Sequence, residues 1–212
     1  MINIVAKTSL SKCGLPRTIA NDVSVNRMIA VKNVSKKGNR MPSLFIIMLG
    51  GRHARANTEV HDVVLAVGDS LEETYPQLKT AWFGEQKGLH IDAWAQINGV
   101  EFEGRQYQIH FSNAQPNSSE QKLFLINLGG YDANEFGELH RYILMVAQNA
   151  MLAKQRGKAY FASHWQKQHT DRVLDVDDCI AIDQVHGRYV QLIDGGFSAN
   201  RWENTYLMLS ER

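Results

Sequence analysis

The stretch Leu44-Phe45-Ile46-Ile47-Met48-Leu49-Gly50-Gly51 is short, apolar on successive positions and closed by two glycines. That pattern suits a strand buried on both faces, followed by a turn in which φ > 0 is available, so Gly50 and Gly51 are expected to form a structural turn. The pattern returns at Leu123-Phe124-Leu125-Ile126-Asn127-Leu128-Gly129-Gly130, a shift of 79 residues, which places an equivalent turn at Gly129 and Gly130. The shift carries further. Glu59-Val60-His61 falls on Glu138-Leu139-His140, Leu65 and Val67 fall on Leu144 and Val146, and His90 and Asp92 fall on His169 and Asp171. A period near 80 residues is that of a duplicated domain, since solenoid repeats are much shorter.

Each copy reads as the same series of elements. After the opening strand, His61–Val67 and His140–Val146 are rich in Val, Ile, Leu and Tyr and predict a second strand. Ser70-Leu71-Glu72-Glu73 has the form of a capping box, and Leu71, Tyr75, Leu78 and Trp82 recur at helical spacing up to Gly84. Pro76 inside that helix predicts a bend or a later start. The second helix, Asn149–Ala162, lacks a proline. A hairpin is expected from Leu89–Ile97 through Asn98-Gly99 to Arg105–His110, and a second from Val173–Ile182 through His186-Gly187 to Arg188–Ile193. The expected fold is α+β: two tandem ββαββ repeats related by pseudo-symmetry, each a mainly antiparallel sheet with one helix on it. The first unit spans 41–112, the linker 113–121 and the second unit 122–212.

Residues 1–40 read differently. Lys7, Lys12, Arg17, Arg27, Lys32, Lys36, Lys37 and Arg40 face one acid, Asp22, so a nearly neutral chain of 212 residues carries a basic leader and an acidic body. Val23–Val25 and Ile29–Val31 are too short to build a core, and the leader is expected to stay outside it as a disordered tail, with translation starting at Met1 or Met41. The same composition is that of a transit peptide. The acidic body and the lack of aromatics in the leader weigh against nucleic acid. No apolar run is long enough to span a bilayer, and two cysteines without repeated spacing fit a reducing cytoplasm.

The residues Leu44–Gly51, Glu59-Val60-His61-Asp62, Val67-Gly68-Asp69-Ser70, Thr74–Leu78, Trp82-Phe83-Gly84 and Leu89-His90-Ile91-Asp92 resemble the bacterial domain of unknown function numbered 1543. The resemblance covers 41 to about 195 and implies a bacterial, soluble protein with one or two copies of the domain. It implies no activity. The second copy lacks counterparts of Asp62, Tyr75-Pro76 and Gly84.

The candidate chemistry lies in Glu59, His61, His90 and Asp92, echoed by Glu138, His140, His169 and Asp171. In a strand, i and i+2 share a face, so Glu-x-His and His-x-Asp each aim two ligand groups one way, and imidazoles with carboxylates suit Zn, Mn or Fe. The competing reading is a scaffold role, with the Glu capping backbone N–H groups and the His bonded to a carboxylate or carbonyl. Arg52 and Arg55, after the Gly-Gly, are candidates for anion binding, against a plain solvated loop. Cys179, beside Asp177 and Asp178, is expected to be structural, with its thiol pKa raised by those carboxylates. Trp82, Phe83, Trp94, Tyr160, Phe161 and Trp165 are assigned to the core. Two functions follow. The first is a non-enzymatic binding or interaction module with an unidentified ligand or protein partner or a second copy of the chain, and the second is a metal-dependent enzyme, a hydrolase among them, in which a divalent ion activates water.

Overall fold

Strand alternation sets the layers. The computed structural model describes residues 3–4, 41–116, 121–131, 136–164 and 176–209. In β2 (Ser43–Gly51), Leu44 and Ile46 join one core cluster while Phe45, Ile47 and Leu49 join another. In β7 (Lys122–Tyr131), Leu123 and Leu125 join that same first cluster while Phe124, Ile126 and Leu128 form a third. Both strands are therefore buried on both faces, as their unbroken apolar runs require. The cluster they share lies on the inner faces of two sheets, and each remaining cluster lies under a helix.

Every pairing is antiparallel. β2 sits between β3 (Val60–Gly68) and β4 (His90–Ile97), with β12 (Arg201–Met208) outside β4. β7 sits between β8 (Glu138–Ala147) and β9 (Val176–Ala181), with β1 (Asn3–Ile4) outside β8. Helix α1 (Leu71–Ala81) packs Leu78, with Trp82 just beyond its end, on the first sheet, and α2 (Ala150–His164) packs Ala153 on the second. These elements agree with an α+β fold. The pairing of Asn3–Ile4 with Tyr142 and Ile143 draws two residues of the expected tail into a sheet. Residues 1–2 and 5–40, the rest of that expected leader, lie outside the described residues.

The hairpins differ from expectation. Asn98-Gly99 is not a hairpin turn: β4 runs through Asn98 into β5 (Gly99–Phe102), which turns back at Glu103-Gly104 into β6 (Arg105–Ser112). Glu103 at φ 52° and Gly104 at φ 74° form the two-residue loop whose positive φ values match strand twist, so the tight turn lies five residues later than the Asn-Gly signal suggests. In the other half, His186 (φ 46°) and Gly187 (φ 78°) do turn, but between β10 (Gln184–Val185) and β11 (Arg188–Asp194). β6 and β11 then pair, so the two hairpins make a third sheet rather than extending the first two. Its residues Val100, Tyr107, Ile109, Val185 and Val190 complete the shared core. The chain after β11 does not stay with the second unit as its expected boundary at 212 implies. β12 crosses back to β4.

Helix α1 starts at Leu71 despite Pro76, which costs one backbone bond at the middle of the helix. Ser70 makes no side-chain cap, and it is Glu73 that reaches back to accept from the Asp69 N–H at 3.0 Å. Gln77 then ties α1 to β3, donating to the Val67 carbonyl at 2.7 Å and accepting from the Val67 N–H at 3.0 Å. Arg156 of α2 ties to β8 by donating to the Val146 carbonyl at 2.6 Å. Of the aromatics assigned to the core, Trp82 is buried, but Phe83 is exposed and packs on the exposed-loop residue His53. The side chain of Phe161 and all of Trp165 lie outside the described residues.

Because Ile46 and Leu125 belong to one cluster, Ile46→Ala and Leu125→Ala should each destabilise by about 2–5 kcal/mol. Urea unfolding followed by circular dichroism should show a single transition in both, with no separate step for either half.

Candidate metal centre

The two glycines that end β2 do not turn. Gly50 and Gly51 are the last residues of the strand, paired with His61 and Val60, and neither has positive φ; Gly129 and Gly130 lie likewise within β7. What Gly50 supplies is space. A Cβ there would collide with Asp92 Oδ2 and lie 2.6 Å from His90 Nε2. A Cβ on Gly129 would collide with Asp177 Oδ2 and lie 2.5 Å from Glu138 Oε1. In each sheet the missing side chain makes room for polar groups from the neighbouring strands.

The first of these clusters gathers all four residues named from the sequence. His61 enters from β3 and His90 from β4, both opposite Gly50, while Glu59 precedes β3 by one residue. Asp92 is the extra residue of a β-bulge, since Met48 pairs with Ala93 but Leu49 with Ile91. His90 Nε2 lies 3.1 Å from Glu59 Oε1 and 3.3 Å from Asp92 Oδ1, and His61 Nε2 lies 3.2 Å from Asp92 Oδ2. These three separations are ordinary for ion pairs and also match neighbouring ligand atoms of a tetrahedral zinc shell, about 3.3 Å apart. Among the described residues, the convergence of three ligand atoms within 4.8 Å of one another is found in the second cluster.

His90 carries the electrostatic argument. It is 1% exposed, and its Nδ1 lies 2.8 Å from the carbonyl of Gly88, a residue whose φ of 79° belongs to the turn leading into β4. A carbonyl only accepts, so Nδ1 donates to it, and Nε2 faces the carboxylates either as the donor of a second proton in an imidazolium ion pair or as a lone pair open to a metal ion. Neither Nε2 nor Asp92 Oδ2 makes a hydrogen bond, although both are buried. Buried carboxylate oxygens facing an imidazole nitrogen call for positive charge, which a second proton on His90 or a metal ion between the groups supplies. Burial pushes the Asp92 carboxyl above its usual range and Glu59 adds to that, against the opposing pull of His90 and His61. The rim is open: the side chains of His61 and Glu59 are 40% and 44% exposed. Tyr206 of β12, which the sequence reading passed over, stacks on the His90 ring with centroids 4.3 Å apart.

The second cluster departs from the expected echo. Glu138 and His140 meet Asp177, with His140 Nδ1 3.3 Å from Asp177 Oδ2 and His140 Nε2 4.0 Å from Glu138 Oε2. The three are exposed, and one ligand atom from each lies within 4.8 Å of the others. Asp177 is the bulge residue of β9, since Asn127 pairs with Asp178 and Leu128 with Val176, so it takes the place of Asp92 at a shift of 85 residues. The expected His169 and Asp171 lie outside the described residues. A longer helix, 15 residues against 11, together with a longer connection to β9 displaces the register by six residues, which a constant shift of 79 cannot follow.

Other expected sites are plainer. Arg52 and Arg55 lie exposed on the loop after β2, which is held through its backbone: Glu85 N–H donates to the Arg52 carbonyl and Arg55 N–H to His53 Nδ1. The Cys179 thiol is pushed up as expected, but by burial and not by its neighbouring carboxylates, while Lys154 opposes the shift. No helix among the described residues is long and apolar enough to cross a membrane.

A family model described as Domain of Unknown Function (DUF1543) matches residues 56–111, a span that holds Glu59, His61, His90 and Asp92. The chain belongs to the DUF1543 family. Its fold is similar to the crystal structure of protein Il1583 from the bacterium Idiomarina loihiensis, with a TM-score of 0.59 and 31% identity over 80% of this chain and 99% of that one. No curated protein matches the chain.

Two substitutions test the DUF1543 site. Gly50→Ala should destabilise by about 1–3 kcal/mol by forcing His90 and Asp92 apart, as chemical denaturation would measure. Because the fold raises the Asp92 pKa, the metal-free protein loses stability as pH rises from the unfolded value, about 3.9, through the folded one. Asp92→Asn should flatten that part of the pH profile and melt no earlier than the metal-free parent at pH 7.

Proposed function

We propose that this protein is a metal-binding module that holds one divalent first-row transition ion among Glu59, His61, His90 and Asp92. The single observation that carries the reading is the buried His90, its Nδ1 proton donated to the Gly88 carbonyl and its Nε2 facing two carboxylates within 3.3 Å. Two imidazoles and two carboxylates fit zinc, iron or manganese better than calcium, which takes only oxygen ligands. The second cluster, with one imidazole among the described residues and side chains 30–41% exposed, is a second candidate position for such an ion.

The module is a duplication of one ancestral unit, working in a bacterial cytoplasm. Several independent positions support the duplication. Gly50 faces His61 as Gly129 faces His140, the bulge falls at Asp92 and at Asp177, and the ties Gln77–Val67 and Arg156–Val146 occupy matching positions at a shift of 79. The cytoplasmic setting is supported by the sparse cysteines, Cys13 and Cys179.

A metal-dependent hydrolase is the second reading, favoured by the open rim at His61 and Glu59, where the ion's outer side meets water. Zinc added to chelator-stripped protein should bind with one tight equivalent by isothermal titration calorimetry and raise the melting temperature. His90→Ala and His61→Ala should lose that equivalent while staying folded by circular dichroism. No tight binding in the parent, with both variants only less stable, would assign the cluster a scaffold role. Metal-dependent release of nitrophenol from ester or phosphoester probes, abolished in His90→Ala, would add the hydrolase reading.

A further inference from the structure

The crossing of β12 to the first sheet leaves a structural asymmetry at the candidate centre. β12 is anchored at both ends. Asn200 Oδ1 accepts from the Asn98 N–H at 2.6 Å and the Gly99 N–H at 3.2 Å, while Asn200 Nδ2 donates to the Gly99 carbonyl at 2.8 Å. At the far end, the N–H of the buried Leu209 donates to the Leu89 carbonyl at 2.9 Å. Between these anchors the ladder is regular from Arg201 to Asn204, and then Leu207 pairs with Ile91. The irregularity on β12 thus falls opposite Asp92, the bulge residue of β4, and within it Tyr206 reaches the His90 ring.

Tyr206 is 57% exposed, so its position is not explained by burial in a core. It touches the one ligand imidazole that is fully buried, at a centroid distance of 4.3 Å and a tilt of 35°. Offset or tilted aromatic pairs at this separation are attractive beyond the area they cover. His90 is consequently fixed twice, with its ring plane set by Tyr206 and its rotation set by the Gly88 carbonyl. Groups outside the ligand set that orient a ligating imidazole raise metal affinity because less freedom is lost on binding. The second cluster has no such group among the described residues, where β9 is the edge strand of its sheet.

We infer that Tyr206 is a positioning residue of the metal centre, acting through its stack on His90 and making metal binding and the docking of β12 mutually reinforcing. The inference rests on the metal-binding reading above. It names the aromatic ring as the active part, since the contact is between rings.

The test compares the full chain with Tyr206→Ala and Tyr206→Phe, all stripped of metal, by titration with zinc. Tyr206→Ala should weaken the tight site by about tenfold or more, in the range of outer-shell ligand supports, with little change in the melting temperature of the metal-free form. Tyr206→Phe should restore parental affinity. In the parent chain, NMR during the titration should show the Tyr206 ring resonances shifting with those of His90, and hydrogen exchange along β12 should slow on saturation. Zinc affinity within twofold of the parent in Tyr206→Ala, equal losses in the Phe and Ala variants, or Tyr206 resonances unmoved by saturating zinc would each overturn the inference alone. A parent chain that takes up no zinc would overturn the metal-binding reading and this inference with it.

Discussion

The constraint on which this structure depends is that β2 and β7 must bury both of their faces. Leu44, Ile46, Leu123 and Leu125 are fully or almost fully buried on one side, and Phe45, Ile47, Phe124 and Ile126 on the other. One helix covers the outer face of each sheet, and among the described residues neither half has a second helix for its inner face. The two inner faces therefore close on each other, with the β5–β6 and β10–β11 hairpins filling the remainder. Separating the halves would expose this cluster to water, at roughly 25 cal/mol for each Å² of apolar surface.

That same arrangement creates the polar sites. The apolar alternation of β2 ends at Gly50 and that of β7 at Gly129, where the strand has no side chain to present. In the first sheet a buried imidazole and a bulge carboxylate move into the gap; in the second, two carboxylates do, with the exposed His140 beside them. The difference between them is solvent. Water can reach an exposed His140, whereas His90, shut off from water, has only protein groups to face, with Nε2 against two carboxylates. Burial converts an ordinary polar cluster into one whose carboxylates need positive charge close by.

Much of this was legible beforehand, and the misses have local causes. The opening strands, the strands that follow them and both helices lie where periodicity puts them, because each is built from contacts within a few residues of sequence. Glu59, His61, His90 and Asp92 share a site because their i and i+2 spacings survive folding. The Gly-Gly pairs were misread as turns because a glycine needed for positive φ and a glycine needed for close approach look identical in sequence. Asp177 was missed because the connection before β9 has a different length in the second half, and Tyr206 because nothing near it in the chain refers to His90.

By itself, the sequence determined the strand and helix inventory, the pairing of imidazoles with carboxylates, and the internal correspondence at a shift of 79 residues. Only the tertiary structure decided that the hairpins leave their sheets to form a third, that β12 returns to the first sheet, and that His90 is buried beneath Tyr206 with its Nε2 unbonded. The reason is range. Alternation and propensity act between near neighbours, while the exclusion of water from His90 is imposed by strands more than a hundred residues away along the chain.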